Sequence, residues 1–233
     1  MALLSSSLDC ARDWGECLLN LAFPWPESAE AEPVRIEKPY CQQCGEPFPA
    51  MEKQSHDFLC YNCVDQKWYF QWARAGYRTE GQVLEAVIGF KYRDEYYQLG
   101  RLTEWLVETF DQHCAQEKWD ALVPVPLFHR RRRERGFNQA YELASGLGKA
   151  RKITTWDCLY RYRETQSQAR LERITRWENM KGAFKMKAGF DVRGKNLLIV
   201  DDVLTTGATV NACAQALTQA GAGRLAVLTI ARS

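Results

Sequence analysis

Residues 197–209, LLIVDDVLTTGAT, constrain the fold of this chain more than any other segment. The apolar run 197–200 predicts a fully buried strand, and two acids, Asp201 and Asp202, follow it directly. A hydroxyl-rich turn then opens a predicted helix over 208–219, and it consists of Thr205, Thr206, Gly207, Ala208 and Thr209. Backbone N–H groups at such a turn bind phosphate, while carboxylates hold ribose hydroxyls and the waters of Mg²⁺. The segment therefore predicts a sugar-phosphate site with a divalent cation; the alternative is an ordinary strand, turn and helix with an acidic cap.

The cysteines predict a metal site near the amino terminus. Four of the nine form two C-x-x-C pairs with fifteen residues between them: Cys41, Cys44, Cys60 and Cys63. This spacing is typical of structural zinc, which four thiolates enclose as a tetrahedron. Two redox pairs are the alternative, but neither pair lies in a strand-to-helix turn. His56, between the two pairs, could substitute as a ligand, but a set of four thiolates does not need it. The other five are expected to pack in the interior: Cys10, Cys17, Cys114, Cys158 and Cys213.

Charge is distributed unevenly along the chain, although the net charge is only +2. Residues 1–60 contain ten acids and four Lys or Arg, a local charge of −6. Residues 129–187 contain sixteen Lys or Arg and six acids, a local charge of +10. The basic stretch is either a solvated face or a surface for an anion such as pyrophosphate, a nucleotide or nucleic acid.

Composition is that of a globular chain, with 46% hydrophobic and 26% charged residues. The longest apolar runs fall far below the roughly 18 residues that span a membrane. The amino terminus, MALLSSSLDCARDWGE, lacks the basic region and long apolar region of a secretory signal. We expect a cytoplasmic protein without a membrane partner.

The pattern divides the chain into four segments. An N-terminal helix and linker occupy 1–38, a zinc-binding module 39–66, and a helical region leading into the core 67–117. In the last segment, 118–233, predicted strands at 121–125, 157–160, 196–200 and 224–231 alternate with predicted helices at 138–149 and 208–219. This alternation predicts a parallel sheet with helices on both faces and ligands beyond the carboxyl ends of the strands.

Two further loops leave predicted strand ends and carry many arginines. The loop 127–139 contains Arg130, Arg131, Arg132, Arg133 and Arg135. Guanidinium groups match phosphate oxygens, and Gly136 would let the backbone approach a pyrophosphate. The segment 161–179 is too long for a simple connection and predicts a lid; its basic residues include Arg161, Arg163 and Arg176. The three polar strand ends are expected to converge on one crevice.

These motifs carry a family resemblance. Residues 197–209 resemble the signature with which type I phosphoribosyltransferases bind phosphoribosyl pyrophosphate (PRPP). The segments VIGFKYRDEYYQLGRL, PVPLFHRRRRERGFNQA, RYRETQSQARL and RWENMKGAF, together with the C-x-x-C pairs, resemble the ComF family. Many relatives carry an additional C-x-x-C pair just after a similar amino-terminal segment, but none follows LLNLAFP at 18–24 in this chain.

The resemblance implies a type I phosphoribosyltransferase-like parallel sheet with flanking helices, preceded by a small four-cysteine zinc module. It implies that Asp201 and Asp202 hold ribose and Mg²⁺, that 205–209 binds the 5′-phosphate, and that Arg135 and Lys91 neutralise pyrophosphate. It also implies a link to natural transformation and the use of imported DNA.

Two hypotheses of different classes remain open. In the first, the chain is an enzyme that transfers the phosphoribosyl group of PRPP in the presence of Mg²⁺. In the second, it is a non-enzymatic PRPP sensor or a protein that binds single-stranded DNA through its basic loops and zinc module. No pocket for an acceptor base is evident in the sequence, and the fold does not choose between these classes.

Overall fold

The computed structural model describes residues 32–48, 58–163, 177, 180 and 182–233. In chain order its helices and strands are α1 (Tyr61–Val64), β1 (Ala73–Arg78), α2 (Gly81–Tyr92), α3 (Gln98–His113), β2 (Ala121–Pro124), α4 (His129–Arg135), α5 (Gln139–Arg151), β3 (Leu159–Arg161), β4 (Phe184–Met186), β5 (Leu197–Leu204), α6 (Ala208–Gln219) and β6 (Leu225–Arg232). In this part of the chain, no helix has both the length and the apolar character needed to span a bilayer.

Four parallel strands form the central sheet, in the order β1-β6-β5-β2. Ile199 in β5 aligns with Val123 on one side and with Val227 on the other, and Val227 in turn aligns with Ala73. The predicted parallel sheet is therefore confirmed.

Helices cover both faces of this sheet, as predicted. Side chains alternate along β5, so Leu197 and Ile199 enter a core formed with α6 and the β3–β4 hairpin. Leu198 and Val200 enter a second core formed with α2, α3 and α5. A strand that is buried on both faces has no polar side, which explains the continuous apolar run in the sequence.

The predicted helical region 67–117 also contains a strand, at residues 73–78, which was not predicted. They form β1, the edge strand beside β6, and the segment 34–36 pairs with its outer side through the Ile36 N–H to Gly76 O bond of 2.8 Å. The sequence ARAGYR contains no β-branched residue, so its strand state depends on these pairings rather than on local preference. The boundaries of the four segments remain a prediction.

The predicted strand at 157–160 also needs correction. Residues 159–161 form β3, which lies outside the parallel sheet and pairs antiparallel with β4, a strand that was not predicted. Each of these strands has three residues, too few for a periodic pattern to show. The chain ahead of them passes along β2, where Leu122 bridges Thr155.

The arginine-rich loop contains a short helix, α4, that was not predicted. Arg130 and Glu134 form an i,i+4 ion pair of 3.0 Å on it. Gly136 then takes a left-handed conformation with φ of 81°, and its N–H donates to Arg132 O, which ends the helix. The observed role of Gly136 is therefore to end helix α4.

Several predictions concern residues outside the described ranges. These are the amino-terminal helix near 9–20 and its connector, Cys10, Cys17, His56, Arg176 and most of the predicted lid at 161–179.

Candidate functional site

The two acids lie inside β5 rather than after it. The strand continues to Leu204, and Asp201 aligns with Thr229 of β6, so the predicted strand end at 200 is wrong. Consecutive residues of a strand point to opposite faces. Asp202 is buried on the face of Val200, whereas the half-buried Asp201 lies on the face of Ile199 and α6. The two carboxylates are therefore neighbours in sequence with different surroundings.

Lys91, in the last turn of α2, forms an ion pair with Asp202. Their side chains are only 16% and 6% exposed. Burial raises the pKa of Asp202, but the charge of Lys91 and hydrogen bonds from Asp201 and Lys91 outweigh it, so this pKa is lowered overall. Burial lowers the pKa of Lys91, yet attraction to Asp202 raises it overall. Asp202 is therefore the ionised acid of the pair, and Lys91 balances its charge.

Asp201 has the opposite electrostatic character. Burial raises its pKa well above the ordinary value, and the neighbouring negative charge of Asp202 adds to this effect. Its Oδ1 accepts the backbone N–H of Asp202 at 3.0 Å. Asp201 is the carboxyl that retains a proton more readily, so the acidic pair carries less negative charge than the sequence suggests.

The predicted phosphate loop, 205–209, leads from β5 into α6. Thr205 is exposed, Thr206 Oγ1 accepts the Ala208 N–H at 3.4 Å, and Thr209 is half-buried in the first turn of α6. Gly207 precedes α6 with φ of 79°, in the left-handed region. A Cβ atom there would lie 2.9 Å from the ring of Trp68. Only glycine satisfies both the backbone angle and the contact.

The four cysteines of the two C-x-x-C pairs form one buried cluster, called here the cysteine cluster. Their sulfur atoms all lie within 4.8 Å of one another. The Cys44–Cys60 and Cys60–Cys63 sulfur distances are both 3.6 Å. The edge of a tetrahedron with Zn–S bonds of about 2.3 Å is about 3.8 Å, so the cluster has the dimensions of a four-thiolate metal site.

Turns hold each half of the cysteine cluster in place. The Gly45 N–H donates to Cys41 O at 2.9 Å, and the Cys63 N–H donates to Cys60 O at 2.7 Å. Arg232, at the end of β6, donates to Cys44 O at 2.9 Å and to Cys44 Sγ at 3.4 Å. The cluster is thus attached directly to the central sheet. Three other cysteines are buried outside it, as predicted: Cys114, Cys158 and Cys213.

The arginines predicted for pyrophosphate lie on or beside α4. Arg130, Arg132 and Arg133 are exposed, and Arg131 is half-buried. Arg135 donates to Gln139 Oε1 at 2.5 Å and stacks on Tyr92. Asn138 fixes the end of this loop, because its side chain accepts the Ala140 N–H and donates to Val125 O.

The loops after β2 and β3 meet around one cavity of about 290 Å³. Its lining includes Arg132 from α4, Tyr160 and Arg161 from β3, and Lys187 beyond β4. Arg163, two residues after β3, is exposed. The lining contains neither the acidic pair nor the phosphate loop. The structure thus joins two of the three strand ends around this cavity, while the β5 end lies outside its lining.

Sequence reasoning missed three contributors to the site: Trp68, Asn211 and Arg232. Each acts through a contact with a residue far away in the chain, and no spacing motif marks such contacts. The partnership of Lys91 with Asp202 was missed for the same reason.

A parallel sheet with helices on both faces, an acidic pair on its central strand and a glycine-containing turn into the next helix is the arrangement expected of a phosphoribosyltransferase-type protein, and comparisons support this class. Residues 93–233, more than half of the chain, match the phosphoribosyl transferase domain family. DNA utilization protein YhgH of Escherichia coli O157:H7 is 31% identical over 226 residues, covering 94% of this chain and 91% of that protein.

Two further relatives carry competence names. Competence protein F of Haemophilus influenzae is 30% identical over 204 residues, covering 84% of this chain and 85% of that protein. Competence protein ComFC of Bacillus subtilis is 27% identical over 225 residues, covering 88% and 83%. The chain belongs to the phosphoribosyl transferase domain family and, within it, to the ComF family, which confirms the resemblance in the sequence.

Proposed function

We propose that this chain binds PRPP with Mg²⁺ and transfers its phosphoribosyl group during the use of imported DNA. The observation that carries the proposal is the order in which a carboxyl group, a turn and a helix follow one another from β5 into α6. A half-buried carboxyl, Asp201, precedes a phosphate loop whose Gly207 has the backbone conformation of a tight anion-binding turn. The DNA part of the proposal is supported by the names of the DNA utilization and competence relatives.

The chemistry requires positioning more than covalent assistance. Pyrophosphate leaves the anomeric carbon as a nucleophile approaches, and positive charge develops on the ribose. The loop 205–209 would hold the 5′-phosphate, and Asp201 would hold the ribose hydroxyls. Arg135 and neighbouring arginines of α4 would hold the leaving pyrophosphate. The main role of Lys91 would be to keep Asp202 ionised. Any contact of Lys91 with pyrophosphate would be additional to this role.

The donor groups at this site fit Mg²⁺. Carboxylates and hydroxyls are the hard oxygen ligands that this ion prefers, directly or through water. When bound, Mg²⁺ would neutralise charge on the pyrophosphate. Asp201 is the better candidate to face the ion, because Lys91 already engages Asp202. Binding of Mg²⁺ would displace the proton that Asp201 retains readily in the empty site.

The cysteine cluster fits structural zinc. Four buried thiols whose sulfur atoms all lie within 4.8 Å of one another, two of the distances being 3.6 Å, leave no open position for a substrate. We infer that one zinc ion binds there and stabilises the surrounding turns.

Calorimetry with PRPP and Mg²⁺ tests the central proposal. We expect Asp201→Asn to weaken PRPP binding by at least about tenfold, because an amide with one acceptor oxygen would replace a carboxylate that accepts from ribose hydroxyls and Mg²⁺-bound water. Asp191→Asn removes an exposed acid elsewhere and is the matched control. Equal PRPP affinity in wild type and Asp201→Asn, or no binding to wild type, would refute the assignment. Pyrophosphate release with a panel of bases, nucleosides and oligonucleotides then tests transfer.

Contact with single-stranded DNA is a second candidate function, favoured by the surface around β3. Tyr160 and Tyr162 are 40% and 46% exposed. The Lys185 ammonium lies 4.3 Å from the Tyr162 ring centre, and Arg132 lines the adjacent cavity. Exposed aromatic rings between cations suit bases that stack and phosphates that pair.

Fluorescence anisotropy over a salt series tests this second function. Each phosphate contact should contribute a slope of about −0.7 to the log–log plot of affinity against salt. Arg131→Ala with Arg132→Ala should flatten the slope by about one or two units. An absence of oligonucleotide binding at low salt would eliminate DNA contact and leave PRPP binding unaffected.

A further inference from the structure

Trp68 lies between the cysteine cluster and the phosphate loop. Its indole packs against the cysteine cluster. Cζ3 and Cη2 of the same ring lie 2.9 and 3.0 Å from the position that a Cβ atom of residue 207 would take. Trp68 also packs against Phe70 and Trp177, each with a ring-centre distance of 5.0 Å. One rigid side chain thus contacts both the metal-binding region and the turn that would hold phosphate.

Asn211 makes a second connection at the same place. It lies in the first turn of α6, and its Oδ1 accepts the Tyr69 N–H at 2.8 Å. Its Nδ2 donates to Lys67 O at 3.0 Å. One turn later, Gln215 donates to the Tyr69 hydroxyl at 3.2 Å. The backbone on both sides of Trp68 is therefore held to the helix that begins at the phosphate loop.

The segment 67–69 follows the second C-x-x-C pair closely. Cys63 precedes Lys67 by four residues, so the path of 67–69 depends on where Cys60 and Cys63 are held. The other half of the cluster is attached to β6 through Arg232. A metal ion that joins all four thiolates would fix the second pair relative to the first, and through it the segment that touches the loop.

We propose that metal in the cysteine cluster positions the phosphate loop through Trp68 and Asn211, so that PRPP affinity depends on metal occupancy. Trp68 and Asn211 are positioning residues in this proposal, since they act on the loop and do not touch PRPP. The inference rests on PRPP binding at 205–209. A preformed loop binds more tightly because less conformational freedom is lost on binding.

Thermodynamic linkage supplies a test that needs no enzyme assay. If zinc tightens PRPP binding by some factor, PRPP must tighten zinc binding by the same factor. Zinc affinity is measured by competition with a chromogenic chelator, with and without PRPP and Mg²⁺. We expect PRPP to raise the zinc affinity of the wild-type chain by about fivefold or more, the lower range of site-to-site coupling in proteins.

Variants separate positioning from general damage. In Trp68→Ala and Asn211→Ala the coupling factor should fall toward one, while zinc is still bound and the chain remains folded. Trp68→Phe should also reduce the coupling, because the shorter phenyl ring lacks the Cζ3 and Cη2 atoms that approach Gly207. Trp156→Ala and Asn196→Ala are matched controls: Trp156 packs in the core beside Phe190, and Asn196 bridges Lys118 and Arg224. Both controls should keep the wild-type coupling.

The outcomes distinguish this inference from the function on which it rests. A wild-type chain that does not bind PRPP contradicts the proposed function itself. A wild-type chain that binds PRPP equally with and without zinc contradicts the inference and leaves PRPP binding intact. If the coupling survives in both Trp68→Ala and Asn211→Ala, the proposed connection through these two residues is wrong. If either variant fails to fold, the other variant and the coupling measured in wild type still test the inference.

Discussion

The cysteine cluster and the acidic pair are both buried groups that need a positive charge, but they obtain it differently. The cysteine cluster contains four equivalent ligands and fits a metal ion from solution. The acidic pair contains two unequal carboxyls, and the chain supplies Lys91 to neutralise one of them. We therefore propose that the other carboxyl, Asp201, is the one that faces the ligand. In the cysteine cluster, the bound metal ion would itself compensate the negative charge of the thiolates. In the acidic pair, Lys91 compensates the buried charge before any ligand binds.

The largest expected effect concerns the cysteine cluster. We expect Cys60→Ser to abolish stoichiometric zinc binding and destabilise the cluster region. A structural zinc contributes about 10–16 kcal/mol in small zinc domains, so several kcal/mol should be lost here. Elemental analysis and thermal unfolding measure these changes, while circular dichroism should show that the sheet remains folded.

Cys114→Ala is the matched control for this substitution. Cys114 is buried at the end of α3, outside the cysteine cluster. This variant should retain about one zinc ion per chain. Wild-type protein without zinc and with four freely titratable cluster thiols would show that the cluster is not a metal site.

The next effect tests the charge balance at the acidic pair. We expect Lys91→Met to destabilise the fold by about 3–5 kcal/mol, because the buried Asp202 carboxylate loses its only described ion-pair partner. Chemical denaturation measures the loss. The double variant Lys91→Met with Asp202→Asn should recover most of it, since no unpaired charge remains. A stable single variant would mean that Asp202 is not ionised in the folded chain.

The same contrast explains what the sequence could predict. The C-x-x-C spacing indicated the whole cysteine cluster because all four ligands follow a short-range rule. The buried run 197–200 was clear because it is continuously apolar, and helix 208–219 was clear because its pattern extends over 12 residues. In contrast, the split of Asp201 and Asp202 between two faces requires knowing that β5 continues to Leu204.

The remaining features were not predicted because they depend on contacts between segments that are far apart in the sequence. Nothing in the spacing of Lys91 and Asp202, or of Trp68 and Gly207, indicates that they touch. The β1 and β4 strands are short and owe their conformation to partners across the sheet or hairpin. The sequence was therefore informative about residue types at the site and less informative about which side chains are already engaged.

A smaller effect on the free energy of unfolding is expected from His113 as the pH changes. Burial, with the charges of Arg74 and Lys38, lowers the pKa of His113 to about 4. The unfolded chain takes up this proton near pH 6.5, so stability should fall as pH decreases from 6.5 to 4. The loss from this one group is at most about 3 kcal/mol.

Substitution isolates the contribution of His113 from that of other groups. His113→Phe keeps a ring against Tyr40 but cannot take up a proton, so its stability should decline less steeply between pH 6.5 and 4. His129→Gln, which removes an exposed histidine, is the matched control. Identical pH dependence of unfolding free energy in wild type and His113→Phe would contradict the assignment.

The smallest effect comes from an exposed ion pair on the same helix region as Lys91. Arg93 and Glu85 are 2.9 Å apart, with side chains 53% and 63% exposed. Water and salt screen such a pair, so a double-mutant cycle with Arg93→Ala and Glu85→Ala should give a coupling energy below about 1 kcal/mol. Repeating the cycle at high salt should reduce it further. A coupling as large as that of Lys91 with Asp202 would mean that burial is not what makes the balance at the acidic pair strong.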